Sequence, residues 1–235
     1  MTTRPHPSSP LALAVLALLF ERPMHPYEMA ATLKQRRKED SIKLRYGSLY
    51  TVIDLLLARG FIRAKETSRA GRRPERTVYA LTGPGYDTLR DWMRDLLRDP
   101  VKEYPQFEAG LCLLPVLPPA EAVALLRDRA LRLTGTAAQL QVHLAEILDQ
   151  DLSAVAGTQD LPASLAGQKF PPLFVVEAEY RLALIKAELA FVNELVRRIV
   201  EDGWGPLDLW RNVQAAAAEP HESREQEQTA PEPPP

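Results

Sequence analysis

The stretch Ser48-Leu49-Tyr50-Thr51-Val52-Ile53-Asp54-Leu55-Leu56-Leu57-Ala58-Arg59-Gly60-Phe61-Ile62-Arg63-Ala64-Lys65-Glu66 changes its hydrophobic period part-way along. Leu49, Val52, Ile53, Leu56 and Leu57 stand at i, i+3, i+4, i+7 and i+8, the single apolar stripe of a half-buried helix. The opposite face carries Ser48, Tyr50, Thr51 and Asp54, polar side chains small enough to approach a groove. Gly60 is the expected stop, because glycine adopts the left-handed conformation that closes helices. From Phe61 the period is two. Phe61–Glu66 reads as one strand and Arg76–Leu81 as a second, joined by a polar loop, Thr67–Glu75, with three arginines. Two strands so joined make a hairpin. A lone hairpin is marginal in water, so it must pack on the helices before it.

Toward the N-terminus, residues 1–10 are rich in Pro, Ser and Thr and read as a flexible arm. The first helix is expected from about Ser9 to Glu21, stopping before Pro23. Its run Leu11–Phe20 after Arg4 resembles a short secretory signal, but Glu21-Arg22-Pro23 follows instead of a small-residue cleavage site. Ten helical residues span only about 15 Å, half of a bilayer core. A buried first helix is the expectation. His25-Pro26-Tyr27-Glu28 opens a second, with Pro in the first turn and an acid at the positive helix end. It is expected to run through Met29, Ala30 and Leu33 into Lys34-Gln35-Arg36-Arg37-Lys38. After a polar break the third helix starts near Gly47-Ser48. Thr82 caps a fourth, passing Leu89, Met93 and Leu96 to a stop at Asp99-Pro100. Three helices, a hairpin and a helix, over residues 11–99, are the order of a winged helix-turn-helix.

The second half follows another rule. Leu126, Ala130, Leu133, Ala137, Leu140, Leu144 and Ile147 alternate spacings of 4 and 3, as do Val175, Ala178, Leu182, Ile185, Leu189, Val192, Val196 and Ile199. Both are heptad seams. The Gly/Ser/Pro-containing link Ser153–Pro172 lets the two helices fold back as an antiparallel pair. Residues 100–216 are therefore expected to be a helical dimerisation domain. Leu126, Leu133, Leu140, Leu144, Leu182, Ile185, Leu189 and Val192 are its expected contacts, because such a hairpin leaves apolar surface for a partner. The alternative is that the seams face only each other and the fourth helix. Residues 217–235 lack large apolar side chains and read as a disordered acidic, Pro/Glu-rich tail. The fold class is thus mainly α with one small β-hairpin: a winged helix-turn-helix followed by an antiparallel helical dimerisation region.

The net charge of −2 hides an asymmetry. Residues 1–100 hold 18 Lys and Arg against 11 Asp and Glu, or +7, and the remainder holds 11 against 20, or −9. From Lys34 to Arg76 the count is 13 basic to 5 acidic, a local +8. A basic front on an acidic back points to a nucleic-acid partner. The first turn of a helix in the major groove reads base edges while flanking cations fix its register on phosphates. The candidate DNA-binding residues are Lys34, Lys43, Arg45, Tyr46, Ser48, Tyr50 and Thr51, with Arg69, Arg72 and Arg73 on the hairpin loop. Lys43 and Arg45 suit phosphate or guanine; Ser48, Tyr50 and Thr51 suit phosphate or a thymine methyl. Gly47 and the short Ser48 side chain let backbone come close. Tyr46 and Tyr50 can equally be packing aromatics, Tyr79 a core residue, and Arg36-Arg37-Lys38 a solvated helix end.

An enzyme is not indicated. His6, His25, His143 and His221 are scattered without H-x-x-x-H or H-E-x-x-H spacing, and neither a phosphate-binding G-x-x-x-x-G-K nor a G-x-G-x-x-G is present. The single cysteine, Cys112, excludes an internal disulfide and cysteine-rich zinc sites, so no cofactor or metal is expected. In the run Leu111-Cys112-Leu113-Leu114 it reads as an inert buried thiol. A winged helix used only for protein contacts is the alternative to DNA binding.

Three stretches carry a family resemblance: Met24-His25-Pro26-Tyr27-Glu28-Met29; Tyr46-Gly47-Ser48-Leu49-Tyr50 leading to Leu57-Ala58-Arg59-Gly60-Phe61-Ile62; and Arg72-Arg73-Pro74-Glu75-Arg76-Thr77-Val78-Tyr79-Ala80-Leu81-Thr82 with Gly85. Together they resemble the PadR family of transcriptional regulators, with G-S-L-Y and Y-A-L-T-x-x-G the most specific parts. The second half resembles the long members, whose helical region is like that of virulence-activator proteins. The likeness covers roughly residues 11–203. It implies a homodimer that represses a nearby gene by binding double-stranded operator DNA and is released by a small-molecule effector, and the lone cysteine fits a reducing, cytoplasmic location. The effector's identity does not transfer to any residue.

Overall fold

Leu11 to Leu19 are all apolar, and a helix that is apolar all round must be surrounded. A computed structural model, which describes residues 9–42, 46–68, 76–152, 167–202 and 207–218, shows how. Helix α1 (Pro10–Glu21) packs on α3 (Tyr46–Ala58), on α4 (Gly83–Arg98) and on strand β2 (Arg76–Leu81). It buries Leu11, Ala12, Ala14, Val15, Leu16, Leu18 and Leu19. This is the centre of the first of two units, Met1–Lys102 with Asp151–Gln168. Its core takes Leu49, Val52, Ile53 and Leu56 from α3, with Leu57 half-buried, and Leu89 and Trp92 from α4. Met93 and Leu96 lie on the outside of α4, since Leu89 and Trp92 already define its inward line.

Helix α2 (Pro26–Gln35) starts on a histidine cap: Tyr27 N–H donates to His25 Nδ1 at 3.1 Å. It ends earlier than the apolar pattern suggests. Arg36 is the C-cap, its N–H still donating to the Thr32 carbonyl at 2.9 Å, and its guanidinium forms a two-pronged ion pair with Glu21 of α1 at 2.5 and 2.8 Å. Arg37 takes a left-handed conformation (φ 52°), and a 3-10 turn, Lys38–Asp40, follows. The expected continuation through Lys38 is therefore corrected to a stop at Gln35.

The hairpin pairs β1 (Ile62–Ser68) with β2 antiparallel, Ile62 opposite Leu81 and Ala64 opposite Tyr79. Glu66 then faces Val78, so Lys65 is an extra residue, a bulge that bends and twists the hairpin. A third piece of sheet joins it. Met24 and Tyr79 exchange both backbone hydrogen bonds, at 3.1 and 3.0 Å, tying the α1–α2 connection to β2.

The second unit, Glu103–Gln150 with Lys169–Pro235, is built on α6 (Pro119–Asp149) and α7 (Val176–Val200). Val123, Leu126 and Ala130 meet Val192, Leu195 and Ile199 at one end. Arg129 pairs with Glu188 at 2.5 Å, and Lys169 reaches Asp149 at 2.8 Å near the other end, so the helices are antiparallel. Two short helices, α5 (Gln106–Cys112) and α8 (Leu207–Ala218), contribute Phe107, Leu111, Leu207 and Trp210 to the same cluster. Trp210 Nε1–H donates to the Leu117 carbonyl at 2.8 Å. Cys112 is exposed, not buried as expected. Phe107 and Leu111, four residues apart, face inward, and helical periodicity turns Cys112 away from them.

Candidate nucleic-acid interface

The corner between β2 and α4 fixes α3 relative to the hairpin, and it explains the spacing Thr82-x-x-Gly85. The Thr82 hydroxyl lies 2.7 Å from the Gly60 carbonyl oxygen and 2.9 Å from that of Phe61, sharing its proton between them. The same oxygen accepts from Gly85 N–H at 3.1 Å, capping α4. Thr82 N–H donates to Phe61 O at 3.1 Å. A Cβ on Gly85 would stand 2.0 Å from that carbonyl oxygen, so only glycine fits. At the other end of α3 the glycine obeys no such demand. A Cβ on Gly47 would meet nothing within 4 Å.

Between these ends α3 turns its apolar stripe inward and its polar line outward. Ser48, Thr51 and Asp54 are exposed, and so is Tyr50 at 53%. Thr51 Oγ1–H donates to the Gly47 carbonyl at 3.1 Å, leaving the oxygen's lone pairs outward. Tyr79 is half-buried against the core, and burial, then the charge of Asp54 and the nearby Tyr50, push its phenol above the usual range. Tyr79 therefore joins β2 to the rim of the α3 face. Lys34 is exposed in the last turn of α2. Arg63 and Lys65, exposed on β1, extend the basic surface beyond the residues singled out from the sequence. Their signal there was the alternation of Ile62, Arg63, Ala64 and Lys65. Lys43, Arg45, Arg69, Arg72 and Arg73, and the Tyr46 side chain, lie outside the described residues.

The arrangement is a helix with an outward first turn, a basic hairpin beside it and a packed core behind. The family model described as "Transcriptional regulator PadR-like family" matches residues 15–91, the stretch that forms it. The chain carries a PadR-like domain. Among solved structures, Bacillus subtilis PadR in complex with operator DNA is similar at 21% identity over 80% of this chain and 98% of that one, with a TM-score of 0.58. The same protein in complex with p-coumaric acid is similar at 19% identity over 83% of this chain and 99% of that one, with a TM-score of 0.57. These likenesses establish a shared fold that extends past the PadR-like domain into the C-terminal helices. A comparison with curated proteins finds no match.

Elsewhere on the PadR-like domain, α1 and α4 frame an open groove of about 450 Å³ lined by Ala17, Phe20, Tyr86, Leu89, Arg90 and Met93. Phe20 stacks on Tyr86 with ring centres 5.7 Å apart, and Arg90 lies over Tyr86 at 5.5 Å. Among the described residues no group of His, Cys, Asp and Glu is placed to hold a metal ion. No described helix is long and apolar enough to cross a membrane.

Proposed function

We propose that this chain is a cytoplasmic, homodimeric transcriptional repressor that binds operator DNA and is released by a small-molecule effector. The observation that carries the reading is the outward first turn of α3. Gly47, Ser48, Tyr50 and Thr51 face away from the core, and the fold itself gives no reason for a glycine at 47. A residue without a side chain, at ordinary φ and with empty space above it, suits a partner that approaches the backbone closely. Ser48, Tyr50 and Thr51 then read bases or phosphates, with Lys34, Lys43, Arg45 and Tyr46 flanking them. Arg69, Arg72 and Arg73 of the hairpin loop reach an adjacent phosphate or the minor groove. Residues 11–99 are the DNA-binding domain and 100–216 the dimerisation domain, with 1–10 as an arm and 217–235 as a tail.

Bacillus subtilis PadR has been crystallised with operator DNA and with p-coumaric acid. The shared fold supports carrying over the two classes of partner, a DNA duplex and a small molecule, and not that compound. A dimer places two α3 helices at half-sites one helical turn, ~34 Å, apart. In this reading Leu126, Leu133, Leu140, Leu144, Leu182, Ile185, Leu189 and Val192 hold the α6–α7 pair and shape the surface that a second copy meets.

The deciding experiment is a gel shift with DNA upstream of the protein's own gene. Binding is expected, weakening steeply as salt rises because several cations displace counterions. No retardation at low salt would sink the reading. Arg72→Ala with Arg73→Ala is expected to weaken all sequences alike, whereas Tyr50 or Thr51 variants shift the preference between operators. A panel of small aromatic compounds that leaves the melting midpoint unchanged would argue against an effector of that class.

A further inference from the structure

Helix α3 holds 13 residues, and Asp54 is the one among them that carries a charge. Its sign is the wrong one for a surface that meets phosphates. At about 3.6 residues per turn, Gly47, Thr51, Asp54 and Ala58 stand on one line, opposite the buried Leu49, Val52, Ile53 and Leu56. All four are exposed. Asp54 thus sits at the centre of the outward face, and among these short side chains it reaches furthest.

The helix gives no reason for an acid there. Aspartate is a poor helix former, and at the third turn it stands too far from the N-terminus to gain from the helix dipole. Among the described residues its carboxylate has no ion-pair or hydrogen-bond partner, and the neighbour that feels its charge is the Tyr79 phenol. A carboxylate so placed lowers the attraction to every duplex alike. What it can add is a difference between duplexes.

We propose that Asp54 is a specificity-determining residue that accepts a hydrogen bond from the amino group of one cytosine in the major groove. The inference rests on the DNA-binding reading above and names one base for it. The chemistry of the groove selects the base. Cytosine offers an N4 donor and no acceptor beside it. Guanine offers the acceptors O6 and N7, thymine the acceptor O4, and adenine an N6 donor next to the acceptor N7. An ionised carboxylate only accepts, so it gains from cytosine and is repelled by guanine and thymine. The basic residues act differently, since a contact to phosphate carries no sequence information. Gly47 and Thr51 are short enough to let the helix sit deep. The Asp54 carboxylate, ~10 Å along the axis from Gly47, then lies against the groove floor.

The test is selection of sites from a pool of random duplexes by the full chain, followed by gel shifts on the selected operator and on an unrelated duplex at one salt concentration. Wild type is expected to select a site with one cytosine that Asp54→Ala no longer distinguishes. The preference at that position should fall about tenfold or more, while the other positions keep theirs. Asp54→Asn is expected to move the same position toward adenine, whose N6 and N7 an amide matches. That switch of base is a readout misfolding cannot produce. Both variants lack one negative charge and are expected to bind the unrelated duplex about two- to fivefold tighter. An unchanged selection, or an equal loss on the selected and the unrelated duplex, overturns the role of Asp54 and leaves DNA binding standing. A wild type that shifts no duplex at low salt overturns both.

Discussion

The two units solve the same burial problem to different degrees. In the first, 18 described residues form one buried cluster drawn from α1, α2, α3, α4, the α1–α2 connection and the hairpin. In the second, six form the cluster between two long helices, and much of each helix surface stays outside. A surrounded central helix gives the first unit a core of its own behind the polar face of α3, although Phe20, Tyr86 and Met93 stay exposed along the α1–α4 groove. A pair of helices has no centre. The second unit leaves apolar side chains such as Leu184 and Phe191 exposed, and if the second copy of the proposed dimer covers them, its stability should depend on how much chain is present.

The largest expected effect breaks the first unit at its corner. Gly85→Ala places a methyl against the Phe61 carbonyl, which cannot retreat without losing its bonds from Thr82. A loss of about 4 kcal/mol or more in denaturant unfolding is expected, in the range reserved for such collisions. Next comes a matched pair across the units. Leu56→Ala, at a fully buried site, should cost about 2 to 5 kcal/mol of folding stability at any protein concentration. Leu184→Ala, at a half-exposed one, should change the unfolding of dilute chain by less than about 0.5 kcal/mol. It should lower the midpoint only where wild type is dimeric. Equal losses from both would erase the distinction between the units.

A smaller effect sharpens the contrast between two glycines. Gly47→Ala is expected to raise stability by about 0.5 kcal/mol, since alanine favours the helix and the space is empty. It should nevertheless weaken operator binding in the gel shift. Unchanged binding would return Gly47 to the fold and weaken the recognition reading. The smallest effect is electrostatic. Glu194 accepts from Arg197 and Arg198, which lower its carboxyl from 4.5 to about 2. A depressed carboxyl stabilises the folded helix above its unfolded value, and the contribution fades as pH falls from about 4.5 through about 2. In acid titration followed by circular dichroism, Glu194→Gln should be less sensitive across that window, with the PadR-like domain's transition unchanged.

What was legible in the sequence was periodic. The α3 stripe, the surrounded α1 and the α6–α7 seams repeat often enough to be read, and the residues they predict are buried or, along much of the seams, half-buried. What was not legible depends on single contacts. The early end of α2 comes at one residue, Arg37, whose left-handed backbone (φ 52°) stops the helix. The Met24–Tyr79 bridge is one residue pair long, below the length at which alternation shows. Thr82 was readable as a cap, but its grip on Gly60 and Phe61 joins residues more than twenty positions apart. Cys112 misled because four apolar letters in a row suggest burial, while α5 has an inside only at Phe107 and Leu111. At the candidate interface the α3 face could be named residue by residue. Arg36, counted in the basic cluster, turned out to face a carboxylate instead.

The Thr82 corner also has a mechanical meaning. Its hydroxyl touches the exit of α3 and the start of β1, and its own backbone begins α4. Three elements thus share one pivot a single side chain wide. Helix α4, of 16 residues, is the arm on that pivot, and the chain continues from its far end toward residue 100 and beyond. A swing of the arm's far end moves it by ångströms but turns the pivot by only a few degrees. Gly85 lies so close to the Phe61 carbonyl that no side chain fits between them, so the first turn of α4 and the exit of α3 are held in direct contact.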